Sequence, residues 1–245
     1  MKYIVLILLF LFNLHLCAQV NDNLLRTEEA SGGIRLNTQG WTIYGERGKN
    51  VTYYKKIIYQ FELGEYKHPK QAKQSVNTSL TSNSRPYFFG KQNNFYILHA
   101  NIGVRRHIGE KAEKSGVEVN YVYMGGATLG ILKPYFINVV SKDNNAPFES
   151  IQYTGLNEEQ FLDWSGIYGA SGFTKGVGKS KLLPGLHGKL GLNFDWSSYS
   201  DLLKSIEVGL ALDVFYKKVP LMVTQKNSFY FLNLYLSAQL GRKWY

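Results

Sequence analysis

Residues 186–196, LHGKLGLNFDW, alternate apolar and polar side chains with a period of two. One parity carries Leu186, Gly188, Leu190, Leu192, Phe194 and Trp196, the other His187, Lys189, Gly191, Asn193 and Asp195. This is the pattern of a β-strand whose two faces meet different surroundings. A soluble sandwich turns the apolar parity inward and a barrel in a bilayer turns it outward, so the rest of the chain has to decide between them.

The pattern recurs. Residues 206–216 set Ile206, Val208, Leu210, Leu212, Val214 and Tyr216 against Glu207, Gly209, Ala211, Asp213 and Phe215, and 230–240 set six apolar residues against Phe231, Asn233, Tyr235, Ser237 and Gln239. Further copies lie at 53–64, with Lys56, Gln60 and Glu62 on the polar parity; at 94–106, with His99, Asn101, Gly103 and Arg105; and at 117–131, with Glu118, Asn120 and Thr128. A less regular first strand over 32–45 places Arg35 and Asn37 on one side, which makes seven. Bacterial outer-membrane barrels have an even number of strands. The glycine-rich SGIYGASGFTKG, 165–176, is the best eighth, and PYFINVV at 134–140, paired near 151–153, would raise the count to ten. The expected fold is all-β: an antiparallel up-and-down transmembrane β-barrel of eight strands, or alternatively ten, over residues 31–245.

Three features favour the bilayer. Each of the last three apolar faces runs for eleven residues, about 36 Å of chain; at a tilt near 40° that covers roughly 28 Å of height, close to the ~25 Å apolar band of such barrels. Aromatics such as Trp196, Tyr121, Tyr123, Tyr230 and Tyr53 sit toward the ends of the apolar faces, where interfacial girdles belong. The polar faces carry Arg35, Lys56, Arg105 and Lys189 against Glu62, Glu118, Asp195, Glu207 and Asp213, with His99 and His187 among them. Such near-balance suits a lumen whose charges must pair on leaving water, although a solvated outer face would also carry charge.

The N-terminus, MKYIVLILLFLFNLHLCAQ, has one cation at Lys2 and an apolar run from Tyr3 to Phe12. It reads as a secretory signal peptide over 1–18, followed by a periplasmic segment 19–30. The run is short of the ~18 residues that span a bilayer, and Leu16 is a poor neighbour for a lipid anchor on Cys17. Cys17 is the only cysteine, so the exported chain holds no disulfide, thiolate metal site or cysteine nucleophile. Removing the leader lowers the formal charge of +10 by one lysine. A basic exported chain meets lipid phosphates or acidic partners rather than nucleic acid.

The C-terminus, FYFLNLYLSAQLGRKWY, alternates and ends on aromatics. Leu236, Leu240, Trp244 and Tyr245 are the expected signal for the barrel-insertion machinery, although Tyr245 falls off the parity and Arg242 interrupts it. The segments SGGIRLNTQGW, GKQNNFY and LPGLHGKLGLNFDW, in this order over most of 31–245, resemble a poorly characterised family of small outer-membrane barrel proteins of Bacteroidota. The resemblance implies fold and location, and carries no catalytic residue.

With a periplasmic N-terminus, the outer turns are expected near 46–52, 107–116, 177–182 and 217–228. Cations there, Arg47, Lys49, Arg106, Lys111, Lys179, Lys217 and Lys218 among them, would meet the phosphates of lipopolysaccharide. The longest connections, 65–92 and about 134–164, then fall on the periplasmic side, one opening on basic KHPKQAK and the other containing acidic NEEQFLDW, a short helix with Asn157 as its cap. Long connections are often functional. The first functional expectation is therefore a non-enzymatic subunit of an envelope assembly or secretion complex, docking a periplasmic or membrane partner through them. The alternatives are a lipid-modifying enzyme, with His99, His107 or His187 as its base, and a soluble ligand-binding barrel. No GxSxG, HExxH or paired-carboxylate motif accompanies the histidines, and neither a metal nor a cofactor is expected.

Overall fold

The computed structural model describes residues 28–75, 85–109, 116–141, 148–197 and 202–244. The leader, Lys111 and Tyr245 lie outside them. The strands are β1 (Glu28–Asn37), β2 (Gly40–Thr52), β3 (Lys55–Tyr66), β4 (Lys73–Gln74), β5 (Tyr87–Phe88), β6 (Asn93–Gly109), β7 (Glu118–Pro134), β8 (Phe136–Val140), β9 (Phe148–Gln152), β10 (Ile167–Ala170), β11 (Lys181–Asp195), β12 (Leu202–Phe215) and β13 (Tyr230–Trp244); one helix, α1 (Glu158–Leu162), precedes β10. Eight of them close into an antiparallel up-and-down barrel in the order β1, β2, β3, β6, β7, β11, β12, β13, with β13 pairing back onto β1.

The count of eight is right, but two of the expected elements are not. Residues 32–45 are not one strand: β1 and β2 are a hairpin joined by Thr38 and Gln39 alone. Gly40, with φ at +156°, packs so tightly that a Cβ there would lie 2.0 Å from the Glu65 carbonyl oxygen. In turn, 165–176 does not enter the barrel, and only β10 forms from it. PYFINVV does pair with the 151–153 region, Ile137 opposite Ile151, but in a separate sheet ordered β10, β8, β9, which rules out a ten-strand barrel. The barrel also starts at Glu28, inside the segment expected to lie in the periplasm.

The missed hairpin reverses every orientation between it and the false eighth strand. Glu28 pairs with Trp244, so the first and last described residues lie at one end of the barrel, the terminal end. The joints β2–β3, β6–β7 and β11–β12 share this terminal end, which therefore includes the 46–52 and 107–116 regions expected outside. The connections 67–92, 135–180 and 216–229 leave from the opposite, loop end. Barrels of this type have short periplasmic turns and long external loops, a rule under which the long connections belong to the external side.

Burial settles which parity faces out. Phe61, Leu186, Leu190, Leu210, Leu232 and Leu236 are exposed on the wall, whereas Arg35, Glu62, Lys189, Glu207 and Asp213 are buried within it. An apolar outer wall around a charged interior is the inverse of a soluble protein and fits hydrocarbon surroundings. Exposed Trp41, Tyr216 and Tyr230 ring the loop end, and Trp196, Trp244 and Tyr53 ring the terminal end.

At the loop end the connections fold into a cap. One face of the β10, β8, β9 sheet packs Ile137, Val139, Ile151 and Ile167 against Tyr87 of the first long connection and Phe161 of α1. Asn157 precedes α1 but does not cap it: its Oδ1 accepts from the Thr154 amide and hydroxyl, turning the side chain back onto the previous loop.

Candidate functional site

The barrel interior is packed in two chemistries, and opens at the terminal mouth into a cavity of about 220 Å³ beside Glu118 and Asp195. Toward the loop end, Tyr66, Phe95, Phe215 and Phe231 point inward from four strands, with ring centroids between 5.2 and 6.4 Å apart. Val219, Leu221 and Met222, from the β12–β13 connection, fold into the same cluster. This apolar plug is held together by burial rather than by polar contacts.

Below the plug lies the charged network. The Tyr66 hydroxyl donates to Asp213 at 2.6 Å, linking the two. The His187 ring contacts Asp213 Oδ1 through Nδ1 at 2.8 Å and stacks on the His99 ring at 4.1 Å. His99 bridges two carboxylates, Glu62 at 3.0 Å through Nδ1 and Asp213 at 2.8 Å through Nε2. Arg35 donates to Glu62 at 2.8 Å and lies between the rings of Tyr44 and Tyr235, 5.2 and 4.8 Å from their centroids. Lys189 donates to Glu207 at 3.0 Å, and Tyr235 donates to the same carboxylate at 2.8 Å. Glycines make room for these rings: a Cβ on Gly191 would lie 2.4 Å from the Tyr235 hydroxyl, and one on Gly33 would lie 2.5 Å from the Tyr44 ring.

Arg105 continues the network toward the terminal end, donating to Glu29 at 3.0 Å and Glu46 at 2.7 Å, and Lys56 also donates to Glu29. Each cation of this lumen network therefore meets a carboxylate, as charges in low dielectric require. At the terminal mouth Lys243 pairs with Asp195 at 3.1 Å, and half-buried Glu118 pairs with His107 at 3.0 Å. Nine of the ten lumen candidates, Arg35, Glu62, His99, Arg105, His187, Lys189, Asp195, Glu207 and Asp213, are buried inside, and Glu118 sits at the rim.

Sequence reasoning missed Glu29, Glu46 and Tyr44, and placed Tyr235 on the inward parity without a role in the network. Glu29 lies in the stretch assigned outside the barrel. Tyr44 and Glu46 face inward on the even parity of β2, whereas Arg35 faces inward on the odd parity of β1. Running one strand through the hairpin hides that switch; the available signal was Asn37 and Gly40 flanking a two-residue turn.

The rim cations divide. Arg47, Lys49 and Arg106 lie at the terminal end, with Arg47 paired to Glu28 at 2.5 Å, while Lys179, Lys217 and Lys218 lie at the loop end. They do not form one ring. Leu236, Leu240 and Trp244 all face outward on β13.

Glu62, His99 and His187 bring ligand-type atoms within 4.8 Å of one another, the arrangement among the described residues that comes nearest to a metal set. Glu62 is already bound by Arg35, and both His99 nitrogens face carboxylates, so an ion would have to displace that guanidinium. Neither histidine reaches a rim: the apolar plug separates both from the loop end, and the Arg105 layer from the terminal end. His99 and His187 are thus buried members of the lumen network, held by Glu62 and Asp213.

No protein-family model matches the chain, and no curated protein matches it. Among solved structures, Ail, the attachment invasion locus protein of Yersinia pestis, is similar with a TM-score of 0.44 and 10% identity over 90% of this chain and 100% of that one. Neisserial surface protein A gives 0.41 and 8% over 89% and 96%, and the N-terminal β-barrel domain of Pseudomonas aeruginosa OprF gives 0.36 and 9% over 89% and 98%. These are likenesses of barrel shape alone.

Proposed function

We propose that this chain is a non-conducting, non-enzymatic anchor in the outer membrane that holds an ordered cap at the cell surface, where it serves as a structural or accessory subunit of an envelope assembly. The observation that carries this reading is the contrast between a sealed interior and a built exterior. An eight-strand barrel is just wide enough to be filled by side chains, and this lumen is filled by an aromatic plug and a paired-charge network. The external connections, by contrast, form a sheet and helix with their own apolar core. That order is unnecessary for spanning a bilayer and suits presentation to a partner. Leu156, Trp164 and Phe173 project from the cap at 100%, 75% and 70% exposure and offer apolar anchors for a protein contact.

Two accessory roles belong to this reading. Lys179, Lys217 and Lys218 at the loop end meet phosphates of the outer leaflet, and the outward series Leu236, Leu240 and Trp244 is read by the insertion machinery. The three segments resembling small barrels of Bacteroidota fit the same placement.

Planar-bilayer recording of the folded protein tests the sealed lumen: no discrete channels are expected, and a stable open conductance would overturn the anchor reading. For the partner, photo-crosslinking residues placed at Leu156, Trp164 and Phe173 in intact cells should give a discrete protein adduct from at least one position. Failure of all three removes the docking role.

A further inference from the structure

The sheet of the cap has one face packed on the apolar core and one face open. The open face, away from Ile137 and Ile151, holds a pocket of about 380 Å³, within the ~300–1,000 Å³ range of small-molecule sites. Its floor is polar and already organised. Ser150 donates to the Asn138 side-chain oxygen at 2.6 Å, and Lys175 donates to the Ser150 hydroxyl at 2.7 Å. One wall is aromatic: Phe148 from β9 and Tyr168 from β10 stack at 3.9 Å across the sheet. Arg85, from the first long connection, lines the pocket with Lys175, and among the described residues neither pairs with a carboxylate.

Lys175 thus reaches a hydroxyl rather than a carboxylate, and Arg85 lines the same pocket, so cations, hydrogen-bonding groups and aromatic rings come together on one face of the cap. We propose that this face of the cap is a binding site for an acidic saccharide. Aromatic faces pack on the C–H faces of sugar rings. Ser150 and Asn138 supply hydroxyl-scale hydrogen bonding, and Arg85 and Lys175 supply charge-assisted bonds to a carboxylate or sulfate. A bare phosphate would leave the aromatic wall unused. The site is placed by the strand pairs Asn138–Ser150 and Val140–Phe148, and by the glycine at 176, whose φ of +88° turns the chain beside Lys175. It rests on the reading that the cap lies outside the cell.

The test uses the full chain in phosphatidylethanolamine nanodiscs, titrated calorimetrically with tetragalacturonate and with its methyl-esterified, uncharged form. Binding of the acid form is expected, weaker by at least about tenfold for the neutral form and for the double variant Arg85→Gln/Lys175→Gln, each cation contributing one charge-assisted bond. Tyr168→Ala should weaken binding without altering the heat-dependent gel mobility that reports an intact barrel. Equal binding of acid and neutral forms, an unaffected double variant, or no binding of tetragalacturonate overturns the assignment. Repeating the titration in nanodiscs containing rough lipopolysaccharide distinguishes the source of the sugar: lost uptake means the membrane's own lipopolysaccharide fills the site, and unchanged uptake means a soluble or neighbouring glycan does; the assignment stands in both cases. Amine labelling of Lys175 on intact cells separates the two levels of failure. A labelled lysine with no sugar binding refutes this site alone, and an unlabelled one refutes the surface placement.

Discussion

The two halves of the barrel interior fill the same width by opposite means. Near the loop end four aromatic side chains and a folded-in connection make an apolar plug, whose energy comes from area removed from water and from ring contacts. Below it, Arg35, Glu62, His99, Asp213, Lys189 and Glu207 fill the space with charge. Desolvation there is so costly that almost all the Coulombic attraction is spent offsetting it. The difference teaches that the plug tolerates substitution gradually, in proportion to lost volume, whereas the network fails abruptly when a single partner is removed.

The sharpest way to break this comparison is in the network. Arg35→Met leaves Glu62 buried beside His99 without its strongest cation, and a loss of about 3–5 kcal/mol is expected, read as a lowered urea midpoint and a lost heat-shifted band. Adding Glu62→Gln to the same chain should recover much of that loss; a double variant no better than the single one would show that the ion pair is not the source.

In the plug, Phe231→Ala should cost about 3 kcal/mol through lost burial and a residual cavity, measured in the same urea titration. The variant is still expected to be non-conducting in planar bilayers, because the layer of Arg35, Tyr44 and Tyr235 remains closed beneath it. A channel in this variant would place the seal in the plug alone.

Gly191→Val probes how the network is accommodated, since its side chain would collide with the Tyr235 hydroxyl. A loss of about 1–3 kcal/mol is expected from the forced shift, and Tyr235→Phe should relieve part of it. No relief would locate the clash in the wall.

The last effect is read in the opening of the cap rather than in unfolding of the barrel. Burial pushes the Lys91 amine down to about 8, while its ring contacts are Phe88 and Tyr135 at 4.8 and 5.5 Å. A depressed lysine is neutral in the folded cap and charged in the opened one between about pH 8 and 10.5, so the cap gains stability as pH rises through that window, by at most about tenfold in the opening equilibrium per unit. Hydrogen exchange of the cap amides should slow correspondingly after correction for intrinsic rates, and Lys91→Met should abolish the dependence.

Much of the barrel was legible because a period of two carries its own meaning. Along the middle of β11, β12 and β13, Leu190, Leu210 and Leu234 face the bilayer while Lys189, Glu207 and Asp213 face the lumen, as the alternation in LHGKLGLNFDW already implies. The first hairpin was not legible in this way. Thr38 and Gln39 are undistinguished turn residues, and the tightness of the turn depends on Glu65 of β3 lying against Gly40, a contact 25 residues away along the chain. One missed turn shifts parity locally, hiding Tyr44 and Glu46, and reverses the membrane side of every later connection until another error restores it. Strand number is therefore a poor guide to orientation.

The sequence by itself determined that the chain forms long two-faced strands, that each strand has a charged face and an apolar one, and that the charges are near balance, because alternation and composition are local properties. Only the tertiary structure decided which end is capped, which carboxylate meets which cation, and that Phe95, Phe215 and Phe231 meet as one plug across the lumen. Those outcomes depend on the register between strands and on the closure of β1 against β13, which couple residues up to about two hundred positions apart.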